Sequence, residues 1–412
     1  MKASSKIVLT RTFHVGIVAN SVFAVYNFRL DLIKKLQQEG YRVTVLAPYD
    51  GFAHLLLREG VHLESLPLIT YNKNPIWDIR DMIKLWNIYG QLHFDFIFHY
   101  TIKPNTFGTL AAWMRGVPSI AVVTGTGNLF LERNRLVRNV MQWLYRVSTP
   151  FSKETWFLNT ADRDAFVKQH LVRPHKVRLI PGEGVNTDYY APRPKPLSQT
   201  SRVFLFIGRL IAEKGIREFV EAARVIKLNY PNTVFQILGY VENKHPSAIP
   251  MEELETWVKE HIVDYLGGST NIRPFIAQCD TVVLPSYTEG MNRVLLEAAS
   301  MAKPLIASDV PGCREIVIPS RTGWLVKPRH LDSLAAAMED CLATSPVDLQ
   351  IMGSLGRAHV CKHYPIEAVH KIYLETLAHY LDKSAIKSIV RKRRPSAFAP
   401  MGHNEVNPYQ KP

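Results

Sequence analysis

The chain has 412 residues, which is enough for two domains with well-buried cores. Apolar residues make up 47% and charged residues 21%, the balance of a folded globular protein rather than a disordered or fibrous one. The net charge of +14 predicts an anionic partner, such as a phosphate group, a membrane surface or nucleic acid. No apolar run reaches the roughly 20 residues of a membrane-spanning helix. The four cysteines include no CxxC pair, which excludes a zinc ribbon and favours a reducing cytoplasm.

Strand-like runs alternate with helical patterns in the first half, as expected for βαβ units with parallel strands. Residues 14–19 (HVGIVA) form a nearly continuous apolar run, typical of a strand that is buried on both faces. Apolar side chains then recur at helical spacing from Phe28 to Leu36, and Gly40 follows at a position that favours helix termination. Further strands are predicted at 41–47, 94–98, 119–123, 155–158 and 176–180.

A linker is predicted in the middle of the chain, since residues 188–200 contain three prolines and little apolar periodicity. The alternation then resumes, with a helix at 216–228 and strands at 202–207, 233–238, 281–284, 304–307 and 323–326. We therefore predict two doubly wound Rossmann-like domains, 1–190 and 191–365, with a ligand in the cleft between their strand ends. The helical pattern at 366–382 is expected to complete the first domain, and the basic residues 384–412 are expected to form a mobile tail.

Two carboxylates of the second half, Glu289 and Glu297, are separated by seven residues in the segment EGMNRVLLE. Glu289 lies where a predicted strand and turn give way to a helix, and the free N–H groups of a helix start bind phosphate readily. Taken alone, the pair is better explained by one acid favoured at a helix N-terminus and one solvated glutamate.

Arg209 and Lys214 lie just past another predicted strand, next to Gly208. Two cations on a Gly-bounded loop at the end of a strand suit a diphosphate held between domains. For this loop alone, two solvated surface cations are the safer interpretation. The cations and the carboxylates nevertheless follow strands of one predicted domain, in order, and this arrangement favours a shared site.

Three segments of the second half together resemble the retaining glycosyltransferases of family 4. They are residues 206–215 (FIGRLIAEKG), 284–297 (LPSYTEGMNRVLLE) and 300–315 (SMAKPLIASDVPGCRE). In the first half, residues 103–108 (KPNTFG) and 124–127 (TGTG) resemble the branch that acts on undecaprenyl-diphosphate-linked sugars in bacterial surface-glycan assembly. The resemblance covers residues 14–382 and implies the GT-B fold, in which two Rossmann-like domains enclose a cleft.

For the donor side, the resemblance implies a UDP-sugar, transfer with retention by front-face attack, and no metal or other cofactor. Arg209 and Lys214 would neutralise the departing diphosphate, Glu289 would contact the donor sugar and Glu297 would bond the ribose hydroxyls. No dedicated nucleophile is identifiable. Further donor contacts are expected from Gly208, Gly290, Met291, Asn292 and Arg293. Asn292 stands where Pro is frequent in this branch, a change of little expected consequence.

The acceptor-side candidates are Asn20, Arg29, His99, Lys103, Thr124 and Gly125. Many relatives carry a His after the fourth strand of the first domain, where this chain has Thr124 and Gly125. His99, expected at the end of the preceding strand, is a candidate replacement, and a structural imidazole fits equally well. Arg29 and Lys103 either bind an acceptor phosphate or serve as a salt-bridged helix Arg and a solvated Lys.

A basic amphipathic segment predicts attachment to an anionic membrane surface. Residues 133–153 carry five cations, with Leu136 and Val140 on one helical stripe and Trp143 nearby, the profile of an interfacial helix. A helix packed on the core with solvated arginines is the alternative. With a lipid-diphosphate-linked saccharide as acceptor, the chain is expected in the cytoplasm, peripheral on the inner face of the cytoplasmic membrane.

Two other classes of protein compete with this interpretation. A nucleotide-sugar epimerase or hydrolase of the same fold would bind the phosphates with the same residues. The basic amphipathic segment at 133–153 argues against this class. The charge also fits a nucleic-acid-binding protein, but no recognition motif of that kind occurs, so no nucleic-acid partner is expected. Asp162 and Asp164 match the Asp-x-Asp pattern of metal-dependent transferases. Asp is also expected at a helix start for capping, and we favour that interpretation, so no metal site is predicted.

Overall fold

In the computed structural model, two parallel β-sheets are each flanked by helices. The structure describes residues 12–66, 75–126, 129, 134–194, 201–242 and 245–381. The strands of the first sheet are β1 (His14–Val18), β2 (Arg42–Ala47), β3 (His62–Ser65), β4 (Phe96–Tyr100), β5 (Ser119–Val123), β6 (Glu154–Phe157) and β7 (Val177–Leu179). Those of the second are β8 (Val203–Ile207), β9 (Val234–Leu238), β10 (Asp264–Tyr265), β11 (Thr281–Leu284), β12 (Leu305–Ser308) and β13 (Gly323–Val326).

Helices connect the strands in both sheets. Those of the first half are α1 (Val22–Gln38), α2 (Ala53–Arg58), α3 (Pro75–Leu92), α4 (Thr109–Met114), α5 (Arg135–Ser148) and α6 (Thr160–Lys168). Those of the second half are α7 (Ile216–Asn229), α8 (Met251–Lys259), α9 (Arg273–Gln278), α10 (Arg293–Ser300), α11 (Pro311–Arg314), α12 (Leu331–Ala343), α13 (Pro346–His363) and α14 (Ile366–Leu381). Among the described helices, none combines the length and the apolar character needed to cross a bilayer.

Both sheets are doubly wound. The strand order is β3-β2-β1-β4-β5-β6-β7 in the first sheet and β10-β9-β8-β11-β12-β13 in the second. The order reverses between β1 and β4 and again between β8 and β11, so the loops after these strands open the crevices where such folds bind ligands. The predicted architecture of two Rossmann-like domains is confirmed.

The chain passes twice between the two sheets, and the two crossings run side by side. Val185 forms a parallel bridge with Pro365, and its N–H donates to Tyr364 O at 2.9 Å. Beyond this bridge α14 packs on the first sheet, where Tyr373 is fully buried and its hydroxyl lies 2.7 Å from that of Tyr100. The last helix therefore contributes to the core of the first domain.

Parts of three sequence predictions lie outside the described residues. They are the basic tail at 384–412, the end of the linker at 195–200, and Gly127 and Arg133 in the loop before α5. The rest of the linker, residues 188–194, forms a loop without a strand or a long helix.

Candidate active site

Glu289 and Lys214 form an ion pair at the switch point of the second sheet. Lys214 Nζ lies 2.6 Å from Glu289 Oε1, and the two side chains are 18% and 9% exposed. Lys214 ends the short 3₁₀ turn after β8, and Glu289 follows β11, so the pair joins neighbouring loops. Gly215 permits this approach, because its φ is +73° and a Cβ there would lie 2.0 Å from Pro285 O.

Arg209 is the second residue after β8 and contacts a second carboxylate. Its Nη1 lies 3.0 Å from Glu242 Oε2, with side-chain exposures of 41% and 35%. An ion pair this exposed contributes little to stability, so the guanidinium can exchange its partner for another anion. The backbone of the loop is held separately, because Leu210 N donates to Tyr240 O at 3.2 Å.

The start of α10 presents backbone donors beside Glu289. Asn292 caps the helix, since its Oδ1 accepts a hydrogen bond from Leu295 N at 3.0 Å. The Asn at this position therefore has a structural role that the sequence did not suggest. In the described part of the chain, no protein acceptor takes the N–H groups of Gly290 and Met291. Free donors at the positive end of a helix dipole are favourable for a phosphate group.

Glu297 is buried one helical turn beyond Arg293. It is 5% exposed, and Arg293 Nε donates to its Oε1 at 2.8 Å. Burial raises the pKa of Glu297, and the positive charge of Arg293 opposes that shift. Arg293 Nη1 also donates to Asn27 O on α1, so this side chain connects the two domains.

Glycines let the two domains approach at the Glu289 loop. A Cβ on Gly290 would lie 2.0 Å from Thr124 O, and one on Gly125 would lie 3.3 Å from Gly290 Cα. On the other side, a Cβ on Gly312 would lie 2.4 Å from Gly290 O. The structure thus brings Thr124 and Gly125, predicted for the acceptor side, against the loop that carries Glu289.

The start of α6 makes a further contact between the domains. Asn159 Nδ2 donates to Gly290 O at 2.6 Å, and Thr160 N donates to Glu315 Oε1 at 2.8 Å. The sequence prediction did not include Asn159 or Thr160 in the site. Asn159 is the N-cap of α6, since its Oδ1 accepts from Asp162 N at 2.7 Å. The local sequence indicates a helix start here, but it does not indicate the second domain as a partner.

His99 lies in the core of the first domain rather than in the cleft. β4 extends two residues further than predicted, so His99 is inside the strand and is 0% exposed. Its Nε2 lies 3.0 Å from Tyr89 Oη, and its Nδ1 lies 3.4 Å from Thr109 Oγ1. Burial lowers the pKa of His99 to about 3, so the ring is neutral at physiological pH. The acceptor-side assignment of His99 is wrong, and the structural alternative holds.

Arg29 is also buried. α1 begins at Val22, so Arg29 lies two turns inside the helix, where it is 3% exposed. Its Nη2 lies 2.7 Å from Glu183 Oε1, and its guanidinium lies 3.8 Å from the centroid of the Tyr100 ring. The assignment of Arg29 to an acceptor phosphate is therefore wrong, and it is the salt-bridged residue of the alternative. Because Glu183 precedes the bridge at Val185, the pair ties α1 to the crossing between the domains.

We expect Glu183→Gln to lower the free energy of unfolding by about 3 kcal/mol, because it leaves the Arg29 guanidinium buried without a counter-charge. Urea denaturation followed by circular dichroism measures the change. Glu59→Gln, which removes an exposed pair with Lys34, is the matched control and should cost no more than about 0.5 kcal/mol. An equal loss of unfolding free energy in the two variants would contradict a buried ion pair between Arg29 and Glu183.

Two other predicted acceptor residues lie at the carboxyl edge of the first sheet. Asn20 is half-buried in the loop after β1. Lys103 Nζ lies 3.8 Å from Asp81 Oδ2, and the Lys103 side chain is 17% exposed. Among the described residues, no group of three or more His, Cys, Asp or Glu is placed to hold a metal ion. Asp162 instead belongs to the capping contacts of α6.

Two family models match the chain. The model described as "Glycosyltransferase Family 4" matches residues 27–189, and "Glycosyl transferases group 1" matches residues 201–344. The chain belongs to the family 4 glycosyltransferases. Glu289, Lys214 and Arg209 all lie in the second of these matched ranges.

Curated relatives of this glycosyltransferase include two enzymes named for lipid-linked acceptors. One is the N,N'-diacetylbacillosaminyl-diphospho-undecaprenol alpha-1,3-N-acetylgalactosaminyltransferase of Campylobacter jejuni, 28% identical over 336 residues, which are 78% of this chain and 87% of the relative. Another is the UDP-Gal:alpha-D-GlcNAc-diphosphoundecaprenol alpha-1,3-galactosyltransferase of Escherichia coli, 27% identical over 76% of this chain and 83% of the relative.

Solved structures share the fold at low sequence identity. HepE of Anabaena, in its complex with UDP-glucose, has a TM-score of 0.72 and 19% identity, with 89% of this chain and 99% of that chain covered. Sucrose-phosphate synthase of Thermosynechococcus elongatus has a TM-score of 0.71 and 17% identity, with 89% of this chain and 100% of that chain covered. The GT-B architecture expected from the sequence is confirmed.

Proposed function

We propose that this glycosyltransferase moves a hexose or N-acetylhexosamine of the GalNAc or GlcNAc type from a UDP-sugar to an undecaprenyl-diphosphate-linked saccharide, in bacterial surface-polysaccharide or glycan assembly. The names of the two curated relatives support both substrates. The observation that carries the proposal is the Lys214–Glu289 pair beside the free N–H groups at the start of α10. It offers positive charge to a diphosphate and a carboxylate to a sugar.

On the donor side, Lys214 and Arg209 neutralise the charge that develops on the departing UDP, and the N–H groups of Gly290 and Met291 bind its phosphate oxygens. Because Lys214 is largely buried, its charge acts in a less polar medium than water and gains strength there. Glu289 lies at the sugar end of the diphosphate. Glu297 exchanges part of its contact with Arg293 for the ribose hydroxyls.

We further propose that the transfer retains the configuration of the donor and needs neither a metal nor another cofactor. Side-chain cations and the α10 start supply the positive charge that a metal ion supplies in other transferases. For an α-linked UDP-sugar, retention predicts an α-linked product, and the anomeric coupling constant of the purified product in NMR tests it. Metal independence predicts full activity in excess EDTA. Activity that requires added Mg²⁺ or Mn²⁺ would contradict it.

The substrate class is tested by screening UDP-glucose, UDP-galactose, UDP-GlcNAc and UDP-GalNAc against lipid-diphosphate mono- and disaccharides. We expect one donor to give a lengthened lipid-linked saccharide and free UDP. Conversion of the donor in the absence of an acceptor would favour the epimerase or hydrolase alternative. The curated relatives described above are both transferases, which supports transfer.

We propose that α5 docks on the anionic inner face of the cytoplasmic membrane, where a lipid-linked acceptor resides. Leu136, Val140 and Trp143 lie at helical spacing and are 72%, 43% and 56% exposed. The helix carries three arginines and no acidic residue. Trp113, which packs at 4.3 Å on Phe151 just after α5, is 54% exposed and extends the apolar surface. Apolar anchors flanked by cations are typical of helices that lie in a lipid interface.

We expect the double variant Leu136→Ser, Trp143→Ser to reduce binding to phosphatidylglycerol vesicles at least about tenfold, because two exposed anchors are lost. Vesicle co-sedimentation measures binding, and UDP affinity should not change. Leu228→Ser removes an 83% exposed leucine from α7 in the second domain and is the matched control. Equal vesicle binding by the double variant and the control would contradict docking through α5.

A further inference from the structure

We infer that Asn159 is a positioning residue, which holds the peptides after Glu289 in the orientation needed for sugar transfer. The inference rests on the proposed function. Asn159 belongs to the first domain and is 0% exposed, yet its Nδ2 donates to Gly290 O of the second domain at 2.6 Å. It therefore reaches the residue next to Glu289 from the opposite side of the cleft.

The contact sets the direction of a backbone donor. In a trans peptide, the C=O and the following N–H point in opposite directions. Because Gly290 O points to Asn159, the N–H of Met291 points away from Asn159. Glu289 O in turn accepts from Gly312 N at 3.3 Å, so the N–H of Gly290 is turned away from Gly312. Two hydrogen bonds thus orient both peptide planes that follow Glu289.

Asn159 is itself held firmly. Its Oδ1 accepts from Asp162 N at 2.7 Å, and its Nδ2 also donates to Asp162 Oδ2 at 2.9 Å. Asp162 Oδ1 accepts the hydroxyl of Thr126, the residue after Gly125. One buried network therefore braces the Thr124–Thr126 loop and the Glu289 loop at the place where they meet. Next to it, Thr160 Oγ1 donates to Glu315 Oε1 at 3.0 Å, which adds a second contact between the domains.

This arrangement predicts a larger effect on the rate than on donor affinity, because Met291 supplies only one of several proposed phosphate donors. Lys214 and Arg209 do not depend on Asn159 for their position, because both follow β8 within the second domain. The direction of the Met291 N–H does depend on it, through the hydrogen bond to Gly290 O. A small misplacement of such groups lowers the rate by up to about 10²-fold without preventing binding.

Asn159→Ser tests the inference, because Ser still accepts the capping bond of α6 but has no amide group to donate to Gly290 O. We expect kcat to fall about 10-fold to 100-fold, with a smaller rise, no more than about fivefold, in the KM for the UDP-sugar and the Kd for UDP, because the other phosphate donors stay in place. Ser345→Ala removes the capping bond of α13, far from the cleft, and is the control for loss of stability alone. It should leave kcat unchanged.

A second readout does not require turnover. With UDP bound, the N–H of Met291 should exchange with solvent deuterium at least about tenfold faster in Asn159→Ser than in the wild type, whereas Ser345→Ala should match the wild type. An unchanged exchange rate, or an unchanged kcat, would overturn the inference. If the wild type transfers no sugar to any lipid-linked acceptor, the proposed function fails, and the exchange comparison still decides whether Asn159 holds this peptide.

Discussion

Glu289→Gln is expected to lower kcat by about 10³-fold or more, while UDP binds at least as tightly as to the wild type. Gln has the same shape, and its Oε1 can accept from Lys214 Nζ, which lies 2.6 Å from this atom in the native pair. The fold is therefore preserved. The variant loses the negative charge that stabilises positive charge developing on the sugar, and this interaction is strongest in the transition state. Because a carboxylate next to the diphosphate repels it, its removal should not weaken UDP binding.

Steady-state kinetics give kcat, and isothermal titration calorimetry gives the Kd of UDP. Glu253→Gln is the matched control, since it removes the carboxylate from an Arg–Glu pair on the outer surface of the same domain, where Arg217 Nε lies 2.6 Å from Glu253 Oε1. It should leave kcat and UDP affinity unchanged. A kcat for Glu289→Gln within about tenfold of the wild type would remove Glu289 from the chemistry.

The elements that carry long apolar runs could be predicted from the sequence. The strands predicted at 119–123, 281–284 and 323–326 coincide with β5, β11 and β13, because each is a short apolar or β-branched run between turn residues. β3 and β10 were missed. Both are edge strands, one of four residues with polar ends and one of two residues, so neither carries a periodic signal.

Two acceptor-side predictions were wrong. His99 was misplaced because the limits of β4 were misjudged, and the burial of Arg29 was not foreseen. β4 begins at Phe96 rather than Phe94, because His14 N donates to the side chain of Asp95, at 2.8 Å from Oδ2, instead of to a backbone carbonyl of the strand. The strand then ends at Tyr100, and His99 falls inside it. The partner of Arg29, Glu183, lies 154 residues further along the chain. A local pattern does not indicate such a pairing.

Contacts between the domains could not be predicted from either half of the sequence. Asn159 and Arg293 both occur where a helix begins, and capping or dipole effects account for each locally. Their partners, Gly290 O and Asn27 O, are backbone atoms of the other domain. Every residue has a backbone carbonyl, so the residue type does not mark one as a partner. Only the three-dimensional arrangement identifies these acceptors. By contrast, the sequence favoured a shared site for Lys214 and Glu289, because each follows a predicted strand of the same domain. In the structure these strands, β8 and β11, are neighbours.

Lys214→Met is expected to lower kcat/KM by about 10²-fold to 10³-fold, with a raised KM for the UDP-sugar and a lowered kcat. The Lys214 charge attracts the diphosphate in the bound donor, and it attracts the leaving UDP more strongly as negative charge develops there. The variant also leaves the Glu289 carboxylate, which is 9% exposed, without its partner. That unpaired charge repels the diphosphate further, so both kinetic parameters should change. Initial rates over a range of UDP-sugar concentrations separate kcat from KM.

The two contributions of Lys214 can be separated with the double variant Lys214→Met, Glu289→Gln, measured by UDP titration. If repulsion by the unpaired Glu289 contributes, the double variant should bind UDP more tightly than Lys214→Met, while its kcat stays as low as that of Glu289→Gln. Lys227→Met is the matched control, because Lys227 is a half-buried lysine of α7 that donates to the backbone carbonyl of His261. An unchanged kcat/KM for Lys214→Met would refute a role at the diphosphate, because a cation in contact with a leaving phosphate cannot be neutral in its effect on the transition state.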